Sequence, residues 1–247
     1  MPSLTLKVAA IHYRAVAADK SRNIRSLSRL IEEAAANGAG LMVLPELCTT
    51  GLSIGNSAEA RILAEPVPGP STAFFSRLAT RCKAYLVLGL AEYDPTTDKR
   101  YNAQVIIGPD GDIVGRYRKV HLFGPDFNWA TEGKPGYQAV DVEWGRIGLG
   151  ICFDINHREF LDFMSAAQID ILAFSTNWVG DDLPFSYWSD MVADGGYYLI
   201  AANNWGREGD LNFSGGSVIL SPEQSVLSQT ELSANGILYA DIGVLRR

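Results

Sequence analysis

Apolar residues along this chain fall into two periods. Short continuous apolar runs occur at 4–11, 41–44, 85–90, 170–174, 197–202, 217–220 and 236–242. Runs of that length and character predict strands covered on both faces. Between them lie stretches with helical spacing. In 20–37 the apolar positions are Ile24, Leu27, Leu30, Ile31, Ala34 and Ala35, with Arg22, Arg25, Arg29 and Glu32 on other faces. Asn37-Gly38 then stops the helix. A second helix is expected over 71–83, with Phe74, Phe75 and Leu78 facing the core. A third spans 156–168, with Phe160, Phe163 and Met164 on one face, and 184–193 is a further helical stretch. Two hairpins complete the pattern. Strands 103–107 and 113–117 flank the turn Pro109-Asp110-Gly111-Asp112, and strands 137–142 and 146–151 meet across Glu143-Trp144-Gly145. Strands alternating with helices, plus two antiparallel hairpins, predict an α/β fold: mixed sheets with helices on the outside. No linker-like stretch or repeat divides the chain, so residues 1–247 are read as one domain.

Composition narrows the class. An apolar content of 47% with 20% charged residues is that of a soluble globular protein. A net charge of −7 argues against nucleic acid or an anionic membrane as the main partner, since both call for a basic face. No apolar run approaches the ~20 residues needed to span a bilayer. The first ten residues lack the pattern of a secretory signal. The three cysteines, Cys48, Cys82 and Cys152, are odd in number and scattered, which predicts a reducing, cytoplasmic setting.

Three polar residues stand at the ends of covered strands: Glu46 after 41–45, Lys119 after 113–118, and Cys152 after 146–151. Ligands of α/β sheets bind beyond strand ends, so a carboxylate, an ammonium and a thiol there can form one site. Cys152 sits between a strand and a helical stretch, where helix amides favour a thiolate. Gly148 and Gly150 let other backbone or a ligand come close. Glu46 can serve as a base if burial raises its pKa. Lys119, with the backbone N–H of Phe153, can stabilise the negative charge that builds when a thiolate attacks a carbonyl or nitrile carbon. Each residue also has an ordinary reading: Cys152 as a buried structural thiol, Glu46 as a cap or salt-bridge partner, Lys119 as part of a solvated strand edge.

Leu44-Pro45-Glu46, Tyr117-Arg118-Lys119-Val120-His121-Leu122-Phe123-Gly124 and Gly150-Ile151-Cys152-Phe153-Asp154 together resemble the three signature segments of the nitrilase superfamily, the carbon–nitrogen hydrolases. Tyr101-Asn102, Pro109-Asp110-Gly111, Asn203 with Gly206, and Gly215-Gly216-Ser217 are also similar to family landmarks. The resemblance implies a four-layer αββα sandwich of the nitrilase type. Carried over, Glu46 is general base and then acid, Cys152 is the nucleophile, and Lys119 is the oxyanion stabiliser. It implies no metal or organic cofactor, and His12, His121 and His157 are too scattered to suggest a metal site. It also implies a homodimer or higher homo-oligomer.

The chain departs from the family pattern in two places. Where many members carry a second glutamate seven residues after the lysine, this chain has Asp126; either Asp126 fills that role, the preferred reading, or nearby Glu132 does, or the role is weakened. The stretch before Tyr197 reads Ala193-Asp194-Gly195-Gly196, without the usual Arg and Glu-Asn pair.

Cys152-Phe153-Asp154 and the segment 51–55 are more similar to the amidase-like branches than to the true nitrilases. Tyr101, Phe123, Trp129, Asn177 and Trp178 are the pocket candidates, and an aromatic wall suits a small or medium apolar acyl group. The expected activity is hydrolysis of a small linear amide to acid and ammonia. An N-carbamoyl hydrolase and a nitrilase are the enzymatic alternatives. A non-hydrolytic interaction protein on the same fold is the alternative outside the enzyme class.

Overall fold

The structure, a computed structural model, describes residues 3–52, 54–134, 136–231 and 233–245. Ser53, within the segment likened to the amidases, lies outside the described residues. The chain runs β1 (Ser3–His12), α1 (Lys20–Ala36), β2 (Leu41–Val43), α2 (Ser57–Leu63), α3 (Pro70–Cys82), β3 (Tyr85–Asp94), β4 (Lys99–Ile107) and β5 (Ile113–Arg118). It continues with β6 (Gln138–Val142), β7 (Gly145–Ile151), α4 (Arg158–Ala166), β8 (Ile171–Thr176), α5 (Phe185–Val192) and β9 (Tyr198–Asn203). It closes with β10 (Trp205–Glu208), β11 (Leu211–Ser214), β12 (Ser217–Leu220), β13 (Val226–Thr230) and β14 (Gly236–Leu245).

Two six-stranded sheets form the centre, ordered β14-β1-β2-β3-β4-β5 and β13-β12-β9-β8-β7-β6. Each has three parallel strands in the middle, β1-β2-β3 in one and β7-β8-β9 in the other, flanked by antiparallel neighbours. Alternate residues of the covered strands serve different layers, because strand side chains point to opposite faces. Val8, Ala10, Val43 and Val87 meet Ile147, Leu149, Ile151 and Ala173 between the sheets. Ala9, Ile11, Met42 and Leu86 face outward onto Leu27 and Ile31 of α1 and Phe75 and Leu78 of α3. Leu172, Phe174 and Leu199 face Phe160 and Met164 of α4 and Trp188 of α5. The result is the expected αββα sandwich.

Helix α1 begins at Asp19, whose carboxylate accepts from Arg22 N at 3.0 Å, and ends at Asn37-Gly38 as anticipated. The Pro109–Asp112 turn is also as read: Gly111 has φ +87° and Gly108 N donates to Asp112 O at 2.8 Å. Gly148 and Gly150 serve a different purpose from the one expected. A Cβ on Gly148 would lie 2.5 Å from Met164 Sδ, and one on Gly150 2.6 Å from Phe160 Cζ. These glycines bring α4 close to β7 rather than admitting a ligand.

Polar bolts join the two sheets near the site. Gln104 Nε2 donates to Ser175 Oγ at 2.8 Å, and Ser175 Oγ donates to Leu44 O at 2.6 Å. Both side chains are fully buried, where an unpaired polar group would be costly.

Candidate active site

Strand β2 is only three residues long, and the chain leaves it through Leu44-Pro45 to Glu46. Leu47 then takes a left-handed conformation, φ +47°, which turns the chain away and fixes Glu46 at the sheet's end. The route passes hard against β3: a Cβ on Gly89 would lie 2.6 Å from Glu46 Cα. Only glycine tolerates that approach.

Strand β5 ends at Arg118 and delivers Lys119, which is 1% exposed. Its ammonium lies 2.8 Å from Glu46 Oε1 and 2.6 Å from Asp126 Oδ2. Asn102 of β4 ties the two carboxylates together, donating to Glu46 Oε1 at 2.7 Å and to Asp126 Oδ1 at 3.1 Å. From the second sheet, Asn177 donates its backbone N–H to Glu46 Oε2 at 3.0 Å and its side-chain amide to Glu46 O at 2.9 Å. Asp126 is fully buried in the one-turn helix Gly124–Asn128. Glu132 is exposed and takes no part in this cluster. Of the two candidates, Asp126 is the one in contact with Lys119.

Cys152 follows β7 with φ +44°, a strained left-handed conformation for a side chain other than glycine. The strain projects the thiol at the start of the short turn Cys152–Asn156. Asp154, fully buried, holds that turn. It accepts from Ile151 N at 3.0 Å, from Tyr117 OH at 2.9 Å and from His121 N at 3.1 Å. One carboxyl group therefore fastens the turn bearing Cys152 to the segment bearing Lys119. The imidazoles of His121 and His157 stack between the same two segments, with centroids 3.4 Å apart.

The electrostatics follow from burial. Desolvation holds Glu46 above the usual carboxylate range and the Asp126 charge adds to it, against the pull of Lys119 and Asn102. Burial alone would lower Lys119, but the Glu46 and Asp126 carboxylates hold it well above an ordinary lysine. The Cys152 thiol is pushed up to about 12 by burial and then by the Glu46 charge, with Lys119 acting the other way. Burial and the Glu46 charge both favour the thiol over the thiolate. The thiolate-favouring helix terminus expected from the sequence is not there, because α4 starts only at Arg158 and a short turn intervenes.

Cys152 opens onto a cleft of about 120 Å³ lined by Phe123, Phe153, Asn156, Trp178 and Val179. Phe123 and Phe153 face each other at 5.1 Å between ring centroids. No lining side chain is charged. Tyr101, Trp129 and Asn177, expected here, do not line it. Tyr101 lies under the Arg118 guanidinium, 3.9 Å from its ring centroid. Trp129 packs with Leu47, Leu52, Ile54 and Phe213 in a separate apolar cluster. Asn102, which the sequence offers only as a family landmark, belongs to the site. Its signal is the alternation of polar Asn102 and Gln104 with apolar Ala103 and Val105 along a covered strand. Among the described residues, no group of three or more His, Cys, Asp and Glu side chains is arranged to hold a metal ion.

Comparison with known proteins agrees with this architecture. The carbon-nitrogen hydrolase family model matches residues 7–245. A Pyrococcus abyssi protein named nitrilase is 32% identical over 96% of this chain and 89% of its own. A human omega-amidase is 29% identical over 90% of this chain and 83% of its own. Among solved structures, a Saccharomyces cerevisiae member of branch 10 of the nitrilase superfamily superposes with a TM-score of 0.86 at 24% identity, covering 96% of this chain and 89% of that one. An amidase from Nesterenkonia superposes with a TM-score of 0.84 at 21% identity, covering 96% and 90%. The fold and the matches define a hydrolase of non-peptide carbon–nitrogen bonds. The chain belongs to the carbon-nitrogen hydrolase family, within the nitrilase superfamily.

Proposed function

We propose that this enzyme hydrolyses a short, uncharged linear amide to a carboxylic acid and ammonia through a thioester on Cys152. The reading rests on one observation above all: the buried Glu46 carboxylate, already bonded to Lys119, is an electrostatic neighbour of the Cys152 thiol at the floor of an uncharged aromatic cleft.

In this mechanism Glu46 takes the thiol proton as sulfur attacks the amide carbon. Proton transfer and attack are concerted in effect, since burial and the Glu46 charge both disfavour a standing thiolate. The C=O π electrons move to oxygen. Lys119 has three N–H donors and uses two on Glu46 and Asp126, leaving one for that oxygen, with the Phe153 N–H as a second donor. Glu46 gives its proton to the departing nitrogen, the C–N bond breaks, and ammonia leaves. Water, deprotonated by Glu46, attacks the thioester; the C–S bond breaks and the proton returns to sulfur. While Glu46 is neutral, Asp126 remains the anionic partner of Lys119, so the ammonium stays charged at the moment it is used.

In the same reading the enzyme works on a small molecule, as a homodimer or higher homo-oligomer, in a reducing cytoplasmic compartment; its three cysteines are free. The test is intact-mass analysis with ammonia detection across short aliphatic amides, ureides and nitriles. An acyl increment on Cys152 with ammonia release from an amide is expected. A folded protein that forms no adduct and releases no ammonia from any of them overturns the proposal.

A further inference from the structure

A second cavity, of about 490 Å³, lies away from Cys152 and shares no lining residue with its cleft. It is lined by the side chains of Arg14, Arg22 and Arg207, with Trp205, Asn235 and Glu208. Three guanidinium groups against one carboxylate make this lining cationic, in a chain whose net charge is −7. Among the described residues, several arginines elsewhere in the chain are neutralised by a carboxylate, and those of this lining, like Arg25, Arg29, Arg61 and Arg77, are not. Arg81, Arg100, Arg116, Arg118, Arg146 and Arg158 each hold an acidic partner. Arg14, Arg22 and Arg207 form no ion pair among the described residues.

Arg14 is nevertheless held in place. Its guanidinium lies 5.3 Å from the Trp205 ring centroid and donates to Arg207 O at 2.7 Å. Asn235 fixes the other side of that stack, accepting from Trp205 Nε1 and from Arg14 N, each at 2.9 Å. A guanidinium immobilised beforehand loses little further freedom when it binds an anion, and its planar fork suits carboxylate and phosphate oxygens.

We propose that this cavity is a binding site for a small multivalent oxyanion, a polycarboxylate or a phosphate, held by Arg14, Arg22 and Arg207. The site is separate from the hydrolytic centre, and its ligand need not be a substrate.

Isothermal titration calorimetry of the full chain tests this with two probes, citrate and inorganic phosphate, at an ionic strength fixed with sodium chloride. One-site binding of either probe is expected, and the tighter of the two identifies the oxyanion class. Arg14→Ala and Arg207→Gln should each weaken it about tenfold or more. Protein alkylated at Cys152 should bind as the unmodified protein does. Both arginines are exposed, so neither variant removes a core residue, and circular dichroism checks that each is folded. The proposal is overturned if neither probe binds, if the folded variants bind as well as the parent, or if alkylation of Cys152 blocks binding.

Discussion

Lys119 holds Asp126 at 2.6 Å, a contact separate from its 2.8 Å contact with Glu46. In the proposed mechanism Glu46 stops neutralising Lys119 when it accepts a proton, and Asp126 then carries that task alone. Asp126→Asn should therefore lower kcat by about 10- to 100-fold with a smaller change in KM, since the loss falls on the transition state. Steady-state kinetics on a short amide checks this. An equal rise in KM with kcat unchanged would assign Asp126 to ground-state binding instead.

Alkylation should report the role of Glu46 without any substrate. In the proposed mechanism Cys152 reacts through proton removal by Glu46, so Glu46→Gln should slow its reaction with iodoacetamide by about tenfold or more. Cys82 is half-buried and remote from Glu46, and should be unaffected. Cys48 is fully buried, with its thiol pushed up to about 12 by burial, and should stay nearly inert. Peptide mass spectrometry over time separates the three.

Gly89 should be intolerant of any side chain. A methyl there would press on Glu46 Cα at 2.6 Å, Leu47 N at 2.7 Å and Pro45 O at 2.8 Å. Gly89→Ala should cost about 1–3 kcal/mol in stability and most of the activity, because the displaced atoms carry Glu46, the proposed base. Denaturant titration alongside an activity assay measures both.

The acid limb of the activity profile should lie above the ordinary carboxylate range, because the proposed base Glu46 has to be ionised to act and burial raises its pKa. Turnover is then lost as pH falls through that raised value. Measurement of kcat against pH tests it; an acid limb at the pKa of a free glutamate would contradict it.

Asp154 gives a prediction of opposite sense. Burial pushes its carboxyl up from 3.8 to about 7, with Lys119 and three hydrogen bonds opposing. The folded state thus holds this proton more tightly than the unfolded chain does. The stability it contributes is complete below about pH 4 and is lost as pH rises to about 7, on the order of 4 kcal/mol. The stability gap between the parent and Asp154→Asn should shrink over that interval. Chemical denaturation at several pH values checks the trend.

Much of this architecture was legible in the residues. The apolar runs of β1, β2, β7 and β8 are covered strands, and α1 has the face its spacing predicted. The three strand-end residues converge because the parallel strands that carry Glu46 and Cys152 both end at the same side of the sandwich. Helix α2 and strands β10, β11 and β13 were not anticipated. Helix α2 is seven residues long, too short for a periodic signal. Strand β13 is an edge with Val226 and Leu227 both exposed, so it lacks the alternation of a half-buried strand. Tyr101 and Trp129 show a different limit. An aromatic residue beside a motif fits a pocket wall or a core equally well, and only packing decides. The state of the Cys152 sulfur depends on how deeply it is buried and where α4 begins, which no local pattern encodes.

The cluster around Cys152 is assembled from both sheets. Glu46, Asn102 and Lys119 come from one, Cys152 and Asn177 from the other. Catalysis in such a design is a ruler laid across the seam. A slippage of a fraction of an ångström, too small to change helix content, would already separate sulfur from base. On warming, turnover should fade before the circular dichroism signal does, so that loss of activity marks the loosening of the sandwich rather than its melting.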